Sequence, residues 1–187
     1  MNADPNTPRF FIALLPPQAI QDFATDVIQE LSDRYRTRTS KAPPHVTLQP
    51  PFQWPLDQVT ALEQCLAASA EQHSPVPIAL SGFGAFAPRV LYVNVLKTPE
   101  LLALQSNLAD ALEKTLNIAD PKSKQRPFAP HLTVASRNLT RQTFKQAWAD
   151  LQPRSVEFEF LADRLTLLIH RGDRWQAWRD WVLGVGC

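Results

Sequence analysis

The sequence predicts an α+β protein: a bilobal, pseudo-twofold duplicated domain in which antiparallel sheets line a central groove and helices cover the outer faces. Three observations favour this class. One short motif occurs twice, at His45–Leu48 and again at His131–Val134. Segments with helical periodicity and segments with strand periodicity alternate along the chain. Many links between consecutive strands are too short for the crossover that parallel strands require.

The length of 187 residues is typical of one domain, which we expect to span 1–187 with approximate lobes over 9–97 and 98–187. The first eight residues are polar and contain two prolines, so we expect a disordered tail over 1–8. The chain is 44% hydrophobic and 20% charged, as globular proteins generally are. Its 17 prolines stand mainly at the predicted ends of helices and strands, which is typical of a folded chain.

Apolar periodicity and proline positions place the elements of the first lobe. Ile20, Phe23 and Val27 recur at helical spacing after Pro16 and Pro17, which suit the start of a helix. In order, the predicted elements are a strand over 9–15, a helix over 16–35, a strand over 45–50, a helix over 57–73 and strands over 75–80 and 89–96.

The second lobe follows the same plan. Pro99 suits the start of a helix, and Thr140 suits an N-cap because its hydroxyl accepts a hydrogen bond from a free backbone amide. In order, the predicted elements are a helix over 100–116, a strand over 131–136, a helix over 140–151 and strands over 156–160, 164–170 and 175–182.

The first copy of the motif has the period of a half-buried strand. Successive side chains of a strand point to opposite faces, so residues two apart lie on the same face. Val46 and Leu48 are therefore expected to face a core, and His45 and Thr47 to face the groove. Pro44 precedes the histidine and suits the first residue of a strand, where no backbone N–H is needed to pair with a neighbouring strand.

The second copy repeats this pattern in a chain that contains only four histidines. Leu132 and Val134 take the inward positions, and His131 and Thr133 take the outward ones. Pro130 again precedes the histidine. We therefore predict that each lobe presents one histidine and one threonine to the groove.

Two such pairs facing each other suit in-line displacement at phosphorus, in which the attacking and leaving oxygens lie on opposite sides. One imidazole would take the proton of the nucleophile and the other would protonate the leaving oxygen, since histidine titrates near neutrality. The two threonine hydroxyls would bind the non-bridging phosphate oxygens. The pattern does not say which histidine is the acid, and this chemistry needs no cofactor and no metal.

Composition argues against several other classes of protein. The five glycines form no Gly-rich loop of the kind that cradles nucleotide phosphates. A formal net charge of +1 differs from the strongly positive net charge of proteins that coat long nucleic acids. No segment approaches the ~18 apolar residues of a transmembrane helix. We expect a cytoplasmic monomer with no membrane contact, in which Cys65 and Cys187 are free thiols.

Basic residues stand in the predicted loop before each motif and would steer a phosphate backbone, although such loops are often only solvated. Lys124 and Arg126, before the second motif, and Arg137, behind it, are the candidates for binding substrate phosphates. Phe52 and Phe128 are candidates for stacking on a base, with core packing as the alternative for each.

The two motifs, about 86 residues apart, resemble those of the two-histidine (2H) phosphoesterase superfamily, and in particular its LigT-like RNA 2′,3′-cyclic phosphodiesterases, also called 2′-5′ RNA ligase-like proteins. The resemblance covers nearly the whole chain. It includes the opening Arg-Phe-Phe-Ile-Ala-Leu-Leu-Pro-Pro over 9–17 and Phe-Gly-Ala-Phe-Ala-Pro-Arg-Val-Leu-Tyr over 83–92. The family implies hydrolysis of RNA or nucleotide 2′,3′-cyclic phosphates to 2′-phosphates, and some members join RNA ends through a 2′-5′ linkage.

Carried over from this family, His45 corresponds to the donor of a proton to the leaving oxygen and His131 to the base that activates water. Thr47 and Thr133 correspond to the hydroxyls that hold the phosphate. Two departures from the family pattern are visible: Gln-Pro-Pro-Phe over 49–52 replaces the usual Phe-Leu-Gly, and Ala-Ser over 135–136 displaces the basic residue expected behind the second motif.

Other interpretations stay open at this point. The motif histidines could be ordinary strand residues, or two ligands of a metal, although no carboxylate or cysteine nearby completes such a site. The same groove could be a non-catalytic module that binds RNA ends or cyclic nucleotides, or the site of a 2′-5′ RNA ligase. His73 and His170 lack a threonine two residues on, and we expect structural or surface roles for them.

Overall fold

The computed structural model describes residues 6–120 and 126–184. The strands of this part of the chain are β1 (Arg9–Leu14), β2 (Val46–Gln53), β3 (Val76–Phe86), β4 (Val90–Val95), β5 (His131–Ala135), β6 (Glu157–Ala162), β7 (Arg164–Arg171) and β8 (Arg174–Val182). Its α-helices are α1 (Gln18–Tyr35), α2 (Val59–Glu71), α3 (Pro99–Leu116) and α4 (Arg141–Leu151), and a short 3-10 helix, Leu56–Gln58, precedes α2.

The described strands form one curled sheet in the order β6-β3-β4-β5-β2-β1-β7-β8, with antiparallel pairing throughout. At its centre β2 meets β5, with Val46 opposite Leu132. The predicted α+β class, with antiparallel strands and packed helices, is confirmed. The sheets that we expected to be separate are two halves of one sheet because β2 and β5 pair.

The two halves of this sheet do not coincide with the two halves of the chain. One half places β3 and β4 beside β5 and β6, and the other places β1 and β2 beside β7 and β8. The predicted boundary between 9–97 and 98–187 therefore does not separate two spatial lobes. β3, which follows α2, crosses to the half that contains β4 and β5, whereas β7 and β8 cross to the half that contains β1 and β2. This leaves β1–α1–β2 and β4–α3–β5 as the matching units.

One face of the sheet packs against the helices and forms the main core. Thr98 caps α3 by accepting a hydrogen bond from the Leu101 amide at 3.2 Å. Thr140 caps α4 as predicted, by accepting from the Thr143 amide at 3.1 Å. The buried residues of α3 recur every three or four positions: Leu101, Leu104, Leu108 and Leu112. Each fully buried leucine contributes roughly 1.5–3 kcal/mol through removal of apolar surface from water.

The largest differences from the predictions are at the end of β3 and in the first residues of the chain. β3 continues through the glycine-containing segment to Phe86, because its end pairs with β4, with Gly84 opposite Tyr92. The predicted tail over 1–8 is wrong for 6–8, since the amide of Leu56 donates to the Asn6 carbonyl at 2.9 Å. Residues 1–5 lie outside the described residues.

Cys65 is a buried free cysteine on α2, where burial raises the pKa of its thiol. Cys187 lies outside the described residues. Within 6–120 and 126–184, no helix combines the length and the apolar character needed to cross a membrane.

Candidate active site

The two motif strands alternate as predicted. On β2, Val46 is 0% and Leu48 is 2% exposed, and both belong to the core under the helices. Leu132 and Val134 on β5 are buried in the same core. The histidine and threonine of each copy are half-buried and lie on the opposite face: His45, Thr47, His131 and Thr133.

The register of β2 against β5 brings these four side chains together. Val46 lies opposite Leu132 in an antiparallel pair. Continuing that register places Thr47 beside His131, and His45 beside Thr133, on the face away from the helices. Each histidine therefore has the threonine of the other motif copy as its cross-strand neighbour.

Both histidines are oriented by the same backbone contact. His45 Nδ1 lies 2.7 Å from the carbonyl oxygen of Pro43, and His131 Nδ1 lies 2.7 Å from the carbonyl oxygen of Ala129. A carbonyl only accepts hydrogen bonds, so Nδ1 must carry the hydrogen in each ring. Proton exchange then takes place at Nε2, which has a lone pair in the neutral ring and a hydrogen in the protonated ring, and which points away from the backbone contact.

Burial lowers the pKa of both histidines below the usual value for this side chain. For His45, desolvation is the main cause, the hydrogen bond to Pro43 opposes it, and the charge of His131 lowers the pKa further. For His131, desolvation again dominates and the hydrogen bond to Ala129 opposes it. Near neutral pH both rings are therefore neutral in the free protein, and protonation of one ring disfavours protonation of the other.

Aromatic rings form the walls beside each histidine. The ring of Phe11 lies 4.7 Å from that of His45, whereas Tyr92 and Phe86 lie 5.3 and 5.0 Å from that of His131. The ring of Tyr92 crosses over Gly84 so closely that an added Cβ there would lie 2.6 Å from the Tyr92 Cζ atom. Gly84 is thus the residue that lets Tyr92 lie against the sheet.

Sequence reasoning did not single out Phe11 or Tyr92 as site residues. The signal for Tyr92 was its place in the alternation of β4, on the face opposite to Leu91 and Val93. Phe11 lies in a run of buried residues without alternation, because both faces of β1 are covered. Nothing in that run distinguishes its groove side from its core side.

A cavity of about 320 Å³ opens beside His131 and Thr47, between β2, α3 and the residues that precede β5. Gln105 on α3 closes its side and donates a hydrogen bond to the Leu48 carbonyl at 3.4 Å. The lining combines aliphatic residues and prolines with polar, charged and aromatic side chains, which include Gln49, Glu113, Asp120, Arg126 and Phe128. His45 and Thr133 do not line this cavity, so it belongs to the His131 side of the site.

The structure separates the predicted substrate-binding residues. Arg126 and Phe128 line the cavity beside His131. Arg137 is exposed in the segment after β5, where its backbone pairs with that of Arg38 outside the cavity. Lys124 lies outside the described residues.

Phe52 was predicted to stack on a base, and the structure places it elsewhere. It lies opposite Phe10 in the sheet, with ring centroids 6.4 Å apart, and packs against the core under the helices. The physical reason is its position on β2: Phe52 lies an even number of residues after Val46 and Leu48, so it faces the same core under the helices.

The remaining histidines lie away from these pairs. His73 lies after α2, with Nε2 3.4 Å from the Asn107 side chain, and His170 packs against Trp175 on the β7–β8 hairpin. In the part of the chain that the structure describes, no three His, Cys, Asp or Glu side chains form a group that could hold a metal ion.

Known proteins share this fold over nearly their whole length. A protein of Geobacillus kaustophilus named "Putative phosphoesterase" is 27% identical over 179 residues, which cover 94% of this chain and 96% of that protein. The crystal structure of TT0787 of Thermus thermophilus superposes with a TM-score of 0.70 at 18% identity, covering 94% and 98% of the two chains. E. coli LigT in complex with 3′-AMP superposes with a TM-score of 0.61 at 19% identity, covering 95% and 98%.

A family model settles the relationship that these similarities indicate. The model of the 2′-5′ RNA ligase superfamily matches residues 16–174, a span that contains both motif strands and the segments that orient their histidines. The resemblance seen in the repeated motif is confirmed. The chain therefore belongs to the 2′-5′ RNA ligase superfamily of two-histidine phosphoesterases.

Proposed function

We propose that this protein hydrolyses the 2′,3′-cyclic phosphate ends of RNA or nucleotides to 2′-phosphates, without a metal, by two-histidine acid–base catalysis. One observation carries the proposal: two rings on neighbouring strands are held by matched Nδ1 contacts of 2.7 Å to a carbonyl two residues earlier. Two exchangeable Nε2 positions beside two threonines supply one acid, one base and two hydroxyl donors.

In the proposed reaction, a water oxygen attacks phosphorus while the bond from phosphorus to ribose O3′ breaks. Neutral His131 takes a proton from the water at Nε2, and protonated His45 donates its Nε2 proton to O3′. The product carries a 2′-phosphate and a free 3′-hydroxyl. Release of one proton from His131 to solvent and uptake of one by His45 restore the starting state. The assignment of acid and base follows the family resemblance.

Substrate binding supports the protonation state that this reaction needs. A cyclic phosphate carries one negative charge, and a nearby negative charge favours the protonated imidazole. That attraction opposes the desolvation that lowers the pKa of His45 in the free protein. Thr47 and Thr133, each next to a histidine in the register, would donate hydrogen bonds to the two non-bridging oxygens, on which charge develops.

We place the candidate substrate contacts around these four residues. Phe128 and Arg126 line the cavity beside His131, where a ring and a guanidinium suit a base and a phosphate. Arg137 and Lys124 remain candidates for phosphate contacts, whereas Phe52 is withdrawn because it packs in the core. The complex of E. coli LigT with 3′-AMP, a nucleotide with a terminal phosphate, supports a nucleotide ligand for this fold.

The test is a short RNA that ends in a 2′,3′-cyclic phosphate, incubated with the purified protein in EDTA. We expect the wild-type protein to form a 2′-phosphate end, and the His45→Ala and His131→Ala proteins to lose this activity. His73→Ala is the matched control, since His73 lies away from the motif pairs. Full activity in both motif variants would contradict the proposal.

Two alternatives are distinguished in the same assay. A second RNA with a 5′-hydroxyl tests ligation, because that hydroxyl would replace water beside His131, where the 320 Å³ cavity offers room for an acceptor nucleoside. A joined product with a 2′-5′ linkage would identify a ligase. Tight binding of the cyclic end with neither product would identify a binding module.

A further inference from the structure

The segment between α1 and β2, residues 36–44, supplies the carbonyl that orients the proposed acid, and we call this segment the strap. Within it, the carbonyl oxygen of Pro43 lies 2.7 Å from His45 Nδ1. The direction in which the His45 ring points therefore depends on where the strap holds Pro43. The reaction proposed above gives no role to the contacts that hold the strap itself.

The first half of the strap is joined to the segment that follows β5. The Arg38 amide donates a hydrogen bond to the Arg137 carbonyl at 3.1 Å. The Arg38 carbonyl accepts hydrogen bonds from the Ser136 and Arg137 amides, each at 3.0 Å. Backbone groups alone form this junction, so it depends little on the side chains at these positions.

Lys41 attaches the second half of the strap to the hairpin of β7 and β8. Its carbonyl accepts a hydrogen bond from the Trp175 amide at 3.2 Å, and its Nζ lies 2.5 Å from Asp173 Oδ2. The backbone of Lys41 has a φ of 56°, in the left-handed region that residues other than glycine, asparagine and aspartate adopt rarely. Such a conformation persists where surrounding contacts fix it, and the two contacts with the hairpin are of that kind.

The link from Lys41 to His45 is short and stiff, and it consists of Ala42, Pro43 and Pro44. Each proline has a fixed φ, and a residue that precedes a proline is restricted to extended conformations, which applies to both Ala42 and Pro43. Ala42 also packs against the small buried cluster formed by β1, β7 and β8. A displacement of Lys41 would therefore move the Pro43 carbonyl instead of being absorbed by the link.

The other half-site has no matching attachment. The carbonyl that orients His131 belongs to Ala129, in the segment 126–130 that precedes β5. Among residues 6–120 and 126–184, this segment forms no backbone hydrogen bond with a strand hairpin. The attachment at Lys41 is therefore specific to the half-site of the proposed acid.

We propose that Lys41 is a positioning residue for His45, and that the β7–β8 hairpin, through Asp173 and the Trp175 amide, sets the direction in which His45 delivers its proton. This inference rests on the proposed function for the role of His45, and it adds the contact that aligns the acid. Misplacement of a reacting group by about 1 Å can lower a rate by about 10²-fold, so a small shift of the Pro43 carbonyl is enough to slow the reaction.

The first experiment compares Lys41→Val with Lys41→Gly on a short RNA that ends in a 2′,3′-cyclic phosphate. Both changes remove the ion pair, but only valine resists a φ of 56°, because its branched side chain disfavours the left-handed region. We expect Lys41→Val to lower kcat by about 10–10²-fold with little change in KM, and Lys41→Gly to stay within a few-fold of the wild-type protein. Wild-type kcat in Lys41→Val, or a higher KM with unchanged kcat in both variants, would overturn the inference.

A substrate with a better leaving group tests whether the loss concerns the acid. When sulfur replaces the 3′ bridging oxygen of the cyclic phosphate, the leaving thiolate needs no proton. Lys41→Val should then react about as fast as the wild-type protein, because only the delivery of the proton is impaired. An equal loss on both substrates would show that the variant disturbs the whole site, and would overturn the inference.

The orientation of the rings can be measured without turnover. In NMR spectra of the imidazole nitrogens, at a pH where both rings are neutral, we expect the wild-type protein to hold both motif histidines in the Nδ1-protonated tautomer. Lys41→Val should give a mixture of tautomers for His45 and leave His131 unchanged. If the wild-type protein hydrolyses no cyclic phosphate, the hydrolase proposal fails, and this measurement still tests the strap. An unchanged His45 tautomer, or equal changes in both rings, would overturn the inference.

If Lys41→Val does not fold, Asp173→Asn replaces it, because this change weakens the ion pair and leaves the backbone of Lys41 unstrained. Asp110→Asn is the matched control: its carboxylate pairs with Lys114 on α3 and is 63% exposed, against 62% for that of Asp173. Exposed ion pairs contribute little, so we expect Asp173→Asn to lower kcat by no more than about fivefold. It should also shift the tautomer of His45, and Asp110→Asn should change neither. The same behaviour in both variants would overturn the inference.

Discussion

The two half-sites share a backbone and differ in what surrounds it. Both histidines bond through Nδ1 to a carbonyl two residues earlier, at the same 2.7 Å. His45 lies against Phe11, which contacts Trp175 beneath the exposed Arg9. His131 lies against Tyr92 and Phe86, whose rings also contact each other, at the opening of a cavity. Duplication explains why the two histidines have equivalent backbone contacts, and their unlike neighbours make their surroundings different.

The difference is already present in the strands that flank the motifs. Ala13 on β1 lies opposite Thr47, whereas Tyr92 on β4 lies opposite Thr133. A methyl group at one position and a phenol at the equivalent one leave unequal space over the two halves. A pseudo-symmetric pair of strands can therefore serve a reaction whose two sides, the nucleophile and the leaving group, are chemically different.

Removal of each histidine in turn should have the largest effect and distinguishes the roles of the two half-sites. We expect His45→Ala and His131→Ala each to lower kcat by about 10²–10⁴-fold, the usual contribution of a positioned acid or base. A cyclic substrate with sulfur in place of the 3′ bridging oxygen has a leaving group that needs no proton. It should restore turnover in His45→Ala and not in His131→Ala, as measured by single-turnover kinetics. Rescue of His131→Ala alone would reverse the two roles.

The packing of the Tyr92 ring over Gly84 should give the next largest effect, on the free energy of unfolding. Gly84→Ala would place a Cβ 2.6 Å from the Tyr92 Cζ atom, so the ring or the strand must move, at a cost of about 1–3 kcal/mol in the free energy of unfolding. In a Tyr92→Ala protein the same change should cost little, because the overlapping ring is absent. Urea unfolding of the four proteins measures this coupling. Additive losses would show that Gly84 has another role.

The pH dependence of stability tests whether burial lowers the pKa of both histidines. Burial lowers the pKa of His45 and His131, so the unfolded chain binds protons more readily than the folded one. Stability should therefore be complete above pH 6.5 and fall as the pH decreases toward the folded-state pKa values. A His45→Gln/His131→Gln protein should lose less stability between pH 7 and pH 5 in urea titrations. An unchanged pH profile would contradict the effect of burial.

An ion pair remote from both half-sites should give the smallest effect. It governs the pH dependence of stability at more acidic pH than the histidines do. Arg154 donates two hydrogen bonds to Glu30 at 2.7 and 2.6 Å and is the main reason that the pKa of Glu30 falls from 4.5 to about 2. This stabilisation is present above pH 4.5 and is lost as the pH falls toward 2. Because both side chains are about a third exposed, we expect Arg154→Gln to cost no more than about 1 kcal/mol at pH 7.

Unfolding of Arg154→Gln at pH 7 and near pH 2 checks this expectation, since its difference from the wild-type protein should shrink at the lower pH. Activity should be unaffected at neutral pH, because Glu30 and Arg154 join α1 to the end of α4 and do not reach the groove. A loss of activity without a loss of stability would link this contact to the site.

Local patterns predicted most of the elements and the outward direction of the four motif side chains. The period of two in each motif was enough to assign Val46 and Leu132 to the core and the histidines to the groove, because a strand offers only two faces. Thr98 and Thr140 cap helices for an equally local reason. The prediction failed for Phe52, which lies an even number of residues after Val46 and therefore takes the core face.

Some properties of this protein follow from its order of residues alone: the α+β class, the duplication and the outward His/Thr pairs. These depend on periodicity and on contacts within a few residues, including the two histidine–carbonyl hydrogen bonds. The exchange of strands between the repeats and the packing of Tyr92 over Gly84 come from the assembled sheet. They join residues far apart along the chain, and no local pattern specifies which distant strands become neighbours.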